Sequence, residues 1–142
     1  MTALPLNVSS LMVRTPITAE SGTTVAEVMV TMQQHRIHHL LITQEGRLAG
    51  MLSDRDLLAW LPAPAMGEAA LMFSGRLAML SVDMLMTRRP LSVGPEMPVD
   101  EAVALMSETG VHALPVVDLE NKPLGIVTLR DVATGLLHAR AA

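Results

Sequence analysis

The chain has 142 residues, of which 50% are hydrophobic and 17% charged, so it can form one packed domain or two small halves that share a core. Its formal net charge of −4 excludes a generally basic surface for nucleic acid or an anionic membrane. The absence of cysteine excludes thiolate catalysis and cysteine-bound zinc. With one Trp and one Phe, the chain also lacks the aromatic side chains on which nucleic-acid bases stack.

The N-terminal residues MTALPLNVSS contain no basic segment and no long apolar run, which argues against a secretory signal. The most apolar region, residues 63–82, is interrupted by Glu68 and Arg76 and is too short to span a bilayer. We therefore expect a cytoplasmic protein with neither a nucleic acid nor a membrane as partner.

Residues 9–61 predict a β-α-β-β-α unit. A helical or irregular lead-in over residues 9–12 ends before an extended segment at Ile17 and Thr18. Thr24, followed three residues later by Glu, predicts the start of a helix through a capping box. Two short runs, residues 39–43 and 48–52, predict strands around a polar turn, and a last helix begins at Ser53.

Residues 62–81 separate this unit from the next. Their middle, Met66 to Leu80, predicts an amphipathic helix with an apolar side. We expect it to act as a packing element or a dimer surface, because it lacks the strongly basic polar face of membrane-surface helices.

Residues 82–138 predict the same unit again. The lead-in of residues 82–86 precedes an extended segment over residues 91–93, and Pro98 opens a helix that Gly110 ends. Strands follow at residues 113–117 and 124–127, and the final helix begins at Thr128.

The two units are copies of one sequence. LMVRTP at residues 11–16 aligns with LMTRRP at residues 85–90, and a one-residue insertion in the later turn then aligns Asp56 with Asp131. A unit of about 50 residues is too small to bury both faces of its sheet. The sequence therefore predicts an α+β protein in which two β-α-β-β-α repeats pack sheet to sheet with pseudo-two-fold symmetry.

Each repeat carries a Gly/hydroxyl/Arg-Asp motif: GMLSDRD at residues 50–56 and GIVTLRD at residues 125–131. A hydroxyl followed three residues later by an acid caps a helix, but a cap requires neither the Gly nor the Arg. A helix start also presents backbone N–H groups to an anion, and the Gly permits close approach of a ligand. The Asp can accept hydrogen bonds from a ribose diol, and the Arg suits a phosphate.

The two Gly/hydroxyl/Arg-Asp motifs occur together with LMTRRPLSV at residues 85–93 and VHALPVVD at residues 111–118. In these sequences the chain resembles a tandem pair of CBS domains, which is also called a Bateman module. The resemblance covers roughly residues 9–137. It implies a regulatory protein that binds an adenosine-type nucleotide between its repeats: AMP, ADP or ATP, with NAD and S-adenosylmethionine as further candidates, and no catalytic cofactor.

The resemblance also implies two sites, each combining the Asp motif of one repeat with base-contacting residues of the other. One site would contain Ser53, Arg55 and Asp56 with Thr87, Pro90, Leu91, Ser92, Val111, His112 and Ala113. The other would contain Thr128, Arg130 and Asp131 with Pro16, Ile17, Thr18, Ile37, His38 and His39. We prefer the Asp56 site, because the first repeat departs from the family pattern at Val13, Leu41, Thr43 and Gln44.

His35, His38 and His39 raise the alternative of a metal site, because His35 and His39 have the spacing of two ligands on one helix face. No nearby acid completes a ligand set, so we predict no metal and expect His38 and His39 to contact phosphate instead. No catalytic triad, Gly-x-Ser-x-Gly motif or phosphate-binding loop ending in Lys-Ser/Thr is present, so we predict no enzyme.

Two functions remain open. The first is a homodimeric ligand-sensing module that reports an adenosyl ligand to an unidentified effector protein. The alternative is a non-catalytic assembly protein with degenerate, unoccupied clefts, in which the Met-rich surface and the segment Met66 to Leu80 mediate association.

Overall fold

The computed structural model describes residues 6–59, 75–76 and 78–141. The chain divides into two compact units. The central unit runs from Ile17 to Arg89, and the terminal unit joins the chain up to Pro16 with the chain from Pro90 onward.

The described chain contains helices together with hairpin strands, which confirms the α+β class. In chain order the elements are α1 (Val8–Leu11), β1 (Val13–Arg14), β2 (Thr18–Glu20), α2 (Val25–His35), β3 (His39–Gln44), β4 (Arg47–Ser53), α3 (Asp54–Leu58), a 3-10 turn (Val82–Met84), β5 (Thr87–Arg88), α4 (Val99–Thr109), β6 (Ala113–Val117), β7 (Pro123–Thr128) and α5 (Leu129–Ala141).

The central unit contains a four-stranded sheet in the order β2-β3-β4-β5. β2 is parallel to β3, with Thr18 opposite Leu41, because α2 carries the chain back between them. β3 and β4 form an antiparallel pair, and β5 adds to the far edge through Thr87 opposite Met51.

The terminal unit contains an antiparallel sheet in the order β1-β7-β6. β1 pairs with β7 through Val13 opposite Ile126. Val93 makes one parallel bridge to Val116 of β6, the place that β2 occupies in the central unit. The predicted extended segment over residues 91–93 is therefore a single bridge and not a full strand.

Each compact unit combines the lead-in of one repeat with the helices and strands of the other repeat. In the terminal unit Val8 N–H donates to Met97 O at 2.9 Å. In the central unit Val82 N–H donates to Thr23 O at 2.8 Å. The compact units therefore do not coincide with the sequence repeats, since β1 and β5 each pair with strands of the other copy.

Each unit has its own hydrophobic core. In the central unit α2 packs on the sheet, with the buried residues Val25, Val28, Met32, Leu40, Ile42, Leu52, Val82 and Leu85. In the terminal unit α4 packs on the sheet, with the buried residues Val8, Val93, Val99, Ala102, Met106, Leu114, Val116, Val127 and Val132. The lead-in residues Val8 and Val82 are 0% exposed, so both lead-ins belong to the cores.

The predicted helix boundaries and strands are largely confirmed. Thr24 Oγ1 accepts from Glu27 N–H at 3.3 Å at the start of α2, and Gly110 ends α4 with φ +78°. Arg36 ends α2 in the same left-handed conformation, φ +52°, which is less favourable for a residue with a side chain. The four predicted hairpin strands are found with ends shifted by at most one residue.

The predicted linker helix from Met66 to Leu80 falls mostly on residues 60–74 and 77, which lie outside the described residues. Gly75, Arg76, Ala78 and Met79 are helical. Within the described ranges, no helix combines the length and the apolar character needed to cross a membrane.

Candidate functional site

The first motif forms the junction between β4 and α3. Ser53 Oγ accepts from Asp56 N–H at 3.1 Å, and Asp56 Oδ2 accepts from Ser53 N–H at 2.8 Å. This reciprocal pair is a complete capping box. It holds the Asp56 carboxylate at the end of the strand and leaves Oδ1 outside the box.

The second motif repeats this geometry between β7 and α5. Thr128 Oγ1 accepts from Asp131 N–H at 3.1 Å, and Asp131 Oδ2 accepts from Thr128 N–H at 2.8 Å. Asp56 and Asp131 are both partly buried. The two motifs therefore present matching carboxylates on matching strand-to-helix turns.

The helix starts offer fewer backbone amides to an anion than the sequence led us to expect. The capping boxes use the amides of Ser53 and Asp56, and Asp54 N–H donates to His38 O at 3.0 Å. α3 also has only five residues, so its dipole is short. The turn therefore presents carboxylate oxygen and the exposed Arg55 side chain, not a row of free amides.

The glycines of the two motifs have a packing role that we did not predict. A Cβ on Gly50 would lie 2.9 Å from Met86 Cγ and even closer to the Met86 sulfur. A Cβ on Gly125 would lie 2.7 Å from Met12 Sδ and 2.7 Å from Val13 O. The lead-in methionines fill the space above each glycine, so close packing of the lead-in by itself requires the missing side chain.

The histidines predicted to contact phosphate lie beside the first motif. His38 Nδ1 is 2.8 Å from Asp54 Oδ2, and both side chains are exposed. His39 begins β3 directly opposite Ser53. His35 is the last residue of α2. In the described part of the chain, no group of three or more acidic, histidine or cysteine side chains could hold a metal ion.

The predicted site residues are distributed over both units. The central unit contains Ser53, Arg55, Asp56, Thr87, Ile17, Thr18, Ile37, His38 and His39. The terminal unit contains Thr128, Arg130, Asp131, Pro16, Pro90, Leu91, Ser92, Val111, His112 and Ala113.

Within each unit the structure brings together the Asp motif and the strand start of the same repeat. Asp54 N–H donates to His38 O, and Leu129 N–H donates to His112 O at 2.9 Å. Ala113 lies opposite Thr128, as His39 lies opposite Ser53. The expected combinations of residues from different repeats stay predictions.

Asp83 is a structural residue that the sequence analysis missed. Its carboxylate accepts from Ser21 Oγ at 2.5 Å and from Gly22 N–H at 3.0 Å. The Ser21 hydrogen bond, above all, holds the pKa of Asp83 below its usual value; the Gly22 amide and Arg88 act in the same direction and burial opposes them. The only sequence signal is Ser81 two residues before the acid, which caps the 3-10 turn.

Comparison with known proteins gives a family match over both repeats. The CBS domain model matches residues 8–63 and 82–138. A CBS domain-containing protein of Dictyostelium discoideum is 30% identical over 126 residues, which cover 88% of this chain and 87% of the relative. The CBS domain-containing protein YhcV of Bacillus subtilis is 30% identical over 125 residues, covering 88% and 81%.

The chain also matches a small part of an enzyme. L-aspartate semialdehyde sulfurtransferase of Methanocaldococcus jannaschii is 28% identical over 127 residues, which cover 89% of this chain but only 22% of the enzyme.

Many solved structures share the fold, including two that contain ligands. The CBS domain pair of protein MJ0100, in complex with 5′-methylthioadenosine and S-adenosyl-L-methionine, has a TM-score of 0.78 at 26% identity and covers 96% of this chain and 99% of its own. CBSX2 in complex with AMP has a TM-score of 0.77 at 26% identity and covers 94% and 98%.

Proposed function

Because the chain belongs to the CBS domain family, we propose that it is a regulatory module that binds an adenosyl ligand through its two Gly/hydroxyl/Arg-Asp motifs. In this proposal Asp56 and Asp131 accept hydrogen bonds from the ribose hydroxyls of a ligand, and Arg55 and Arg130 face its more polar end. We assign no catalytic step to the chain. The homodimer, the effector protein and the cytoplasmic location stay predictions from the sequence.

The observation that carries the proposal is the identical geometry of the two capping boxes. In each, Oδ2 of the Asp accepts a 2.8 Å bond from the strand-end amide, so the carboxylate is oriented before any ligand arrives. Oδ1 then remains as an acceptor at a fixed position. A preoriented acceptor loses little conformational entropy when a ribose binds, which favours affinity.

The ligand class is supported by two relatives with 26% identity. One was solved with 5′-methylthioadenosine and S-adenosyl-L-methionine, and the other with AMP. An adenosine group is the part that these ligands share, so we propose that this chain recognises adenosine and that the 5′ substituent is selected separately.

Isothermal titration calorimetry with AMP, ADP, ATP, NAD and S-adenosylmethionine tests the proposal. The informative variants are Asp56→Asn and Asp131→Asn. The Asn carbonyl oxygen can accept from the strand-end amide in place of Oδ2, but its NH2 group replaces the acceptor offered to the ribose.

We expect the Asn variant of an occupied motif to weaken binding by about 10- to 100-fold, the loss typical of a hydrogen bond to a charged group. Asp100→Asn is a matched control, because Asp100 is an exposed acid in the first turn of α4. The proposal fails if the unmodified protein binds none of these ligands, or if Asp56→Asn combined with Asp131→Asn binds them unchanged.

The residues predicted from the resemblance to contact the base are tested in the same way. Leu91→Ala and Ile17→Ala remove an apolar side chain from the two predicted edges. We expect Leu91→Ala to weaken ligand binding at the site that contains Asp56. Ile17→Ala should weaken it at the site that contains Asp131. Unchanged affinity in both would remove these edge residues from the proposed sites.

One observation favours assembly as a second candidate function. Leu58 on α3 and Leu137 on α5 are 64% and 66% exposed, so both helices present an apolar side chain that self-association would cover. Light scattering with and without AMP separates the candidates. Self-association that AMP leaves unchanged supports an assembly protein, whereas a ligand-dependent change supports the sensing module.

A further inference from the structure

Two hydrogen bonds join the residue before β3 to the first residue of α3. His38 Nδ1 is 2.8 Å from Asp54 Oδ2, and Asp54 N–H donates to His38 O at 3.0 Å. The His38 and Asp54 side chains are 71% and 48% exposed, so the imidazole ring is held at one nitrogen and open to solvent elsewhere.

The second repeat lacks this side-chain pair. Leu129 replaces Asp54 and keeps the backbone bond to His112 O at 2.9 Å. Leucine offers no carboxylate, and among the residues that the structure describes His112 has no side-chain hydrogen bond. The molecule therefore contains an internal reference: the same backbone geometry with and without an acid beside the histidine.

The chemistry of the pair fixes where the imidazole carries its proton. An ionised carboxylate only accepts hydrogen bonds, so this hydrogen bond forms only when Nδ1 carries the proton. In the neutral ring Nε2 is then an acceptor, and it becomes a donor only when the ring takes up a second proton. A fully ionised phosphate also only accepts, so a neutral His38 in the Nδ1–H form offers it no hydrogen bond.

We propose that Asp54 is a positioning residue that favours the Nδ1–H form of His38, so that donation from Nε2 of His38 to a ligand phosphate is coupled to proton uptake. The inference rests on the proposed function for the ligand, but the tautomer itself does not. It makes binding of a phosphate-bearing adenosyl ligand proton-coupled, whereas an adenosyl ligand without phosphate binds without this coupling.

Other charged or titratable groups adjoin His38 and set the background against which the pair acts. They lie on the end of α2, on β3 and on α3: His35, Arg36, His39, Arg55 and Asp56. Because the pair is exposed, we expect Asp54 to shift the balance between the two neutral forms by a modest factor, about two- to five-fold. His112, without an acid, reports the balance in the absence of that shift.

Long-range nitrogen–proton NMR correlations on the ligand-free protein, labelled with ¹⁵N-histidine, measure the tautomer directly. We expect the neutral His38 ring to favour Nδ1–H in the unmodified protein and to lose that preference in Asp54→Leu. The reciprocal variant Leu129→Asp should create the preference at His112. A His38 ring that favours Nε2–H, or that is unchanged in Asp54→Leu, overturns the inference.

Calorimetry of AMP and of 5′-methylthioadenosine, in buffers with different ionisation enthalpies, measures the proton coupling. For AMP we expect the unmodified protein to take up more protons than His38→Gln, with a difference that approaches one proton. Asp54→Leu should take up fewer protons than the unmodified protein. Free AMP is the same in all three experiments, so a difference in proton uptake reports the imidazole together with the phosphate that it contacts. For 5′-methylthioadenosine, proton uptake should be the same in all three proteins.

Equal uptake of protons by the unmodified protein and His38→Gln on binding AMP overturns the proposed coupling, even if AMP binds tightly. Failure of the unmodified protein to bind either compound is a different outcome, because it contradicts the proposed function and the coupling together. The NMR measurement still decides whether Asp54 positions His38 in that case.

Discussion

The carboxylate of Asp83 accepts a 2.5 Å hydrogen bond from the hydroxyl of Ser21, 62 residues earlier in the chain. The same carboxylate accepts from Gly22 N–H, and Asp83 O accepts from Arg88 Nη2 at 3.2 Å. One residue thus fastens the lead-in of the second repeat to the turn between β2 and α2. At the equivalent position of the terminal unit the residue is Ser9, which cannot form a carboxylate clamp.

This clamp predicts a pH-dependent contribution to stability. The pKa of Asp83 is lower in the folded protein than its ordinary value of 3.8, mainly because of the Ser21 hydrogen bond. A carboxyl group whose pKa is lowered by folding stabilises the fold at pH values above its pKa in the unfolded chain. This stabilisation is lost as the pH falls through its pKa in the folded protein. Asp83→Asn should cost about 1 kcal/mol at pH 7, a small value because the group is only partly buried.

Urea unfolding at pH 7 and pH 3 checks this prediction. The difference in unfolding free energy between the unmodified protein and Asp83→Asn should shrink at the lower pH. Asp100→Asn, which removes an exposed acid outside such a clamp, is the control. A difference that stays constant between the two pH values would show that the charge of Asp83 does not stabilise the fold.

The exchange of lead-ins predicts that Val8 stabilises the second repeat. Val8 is 0% exposed and packs in the core that contains Val99 and Leu114. Val8→Ala should therefore cost about 2 kcal/mol of unfolding free energy, through lost burial and the cavity left behind. Val13→Ala is the matched control, because Val13 is 53% exposed and should change stability little.

Native-state hydrogen exchange locates the effect of Val8→Ala. Amides of α4, β6 and β7 should lose protection first, although they follow Val8 by about 90 residues or more in the chain. Faster exchange confined to α2, β3 and β4 would contradict the assignment of Val8 to the terminal unit.

The repeated unit could be predicted from the sequence because its signals are local. Thr24 caps α2 and Gly110 ends α4 through contacts within a few residues, and the hairpin strands are short, mostly apolar runs between turn residues. The motif around Asp56 was likewise predictable as a helix start, since hydroxyl and acid stand three residues apart.

The exchange of lead-ins was not predictable in the same way. β1 and β5 have two residues each, too few to show a strand pattern, and each pairs with a strand of the other repeat. Met12 and Met86 pack against Gly125 and Gly50 only because β1 and β5 pair in this way. The sequence therefore did not show why a side chain is excluded at these two glycines. The role of Asp83 was missed because its partner Ser21 is distant in sequence, and no local pattern predicts a hydrogen bond between them.

Substitutions of the motif glycines should differ in cost between the repeats. The atoms nearest to a Cβ on Gly50 all belong to the flexible side chain of Met86. A Cβ on Gly125 would also meet the backbone oxygen of Val13 at 2.7 Å, which can move only with β1. We expect Gly50→Ala to cost about 1 kcal/mol and Gly125→Ala about 2–3 kcal/mol, the range for overpacking.

Thermal and urea unfolding measure these costs, with Gly94→Ala as control. No atom lies within 4 Å of a Cβ built on Gly94, so that variant should be neutral or slightly stabilising. Combining Gly50→Ala with Met86→Ala should cost less than the sum of the two single changes, because the second removes the clash created by the first. Strict additivity would show that Met86 does not occupy the space above Gly50.

The two capping boxes predict equal stability costs for equivalent substitutions. Asp56→Ala and Asp131→Ala each remove an acceptor 2.8 Å from a strand-end amide, so each should cost about 1 kcal/mol of unfolding free energy. The corresponding Asn variants keep that acceptor and should cost less. Urea unfolding of all four variants without ligand provides the comparison, with Asp100→Ala as the control for an exposed acid at a helix start.

This comparison separates the cap from the proposed ligand contact at the same residue. If the ligand-free costs match between the repeats, any difference in AMP affinity between Asp56→Asn and Asp131→Asn reports which motif a ligand occupies. The sequence predicts the larger effect at Asp56, because the residues grouped with it keep the family pattern. A larger effect at Asp131 would reverse that assignment, and unequal ligand-free costs would show that the two helix starts are not equivalent.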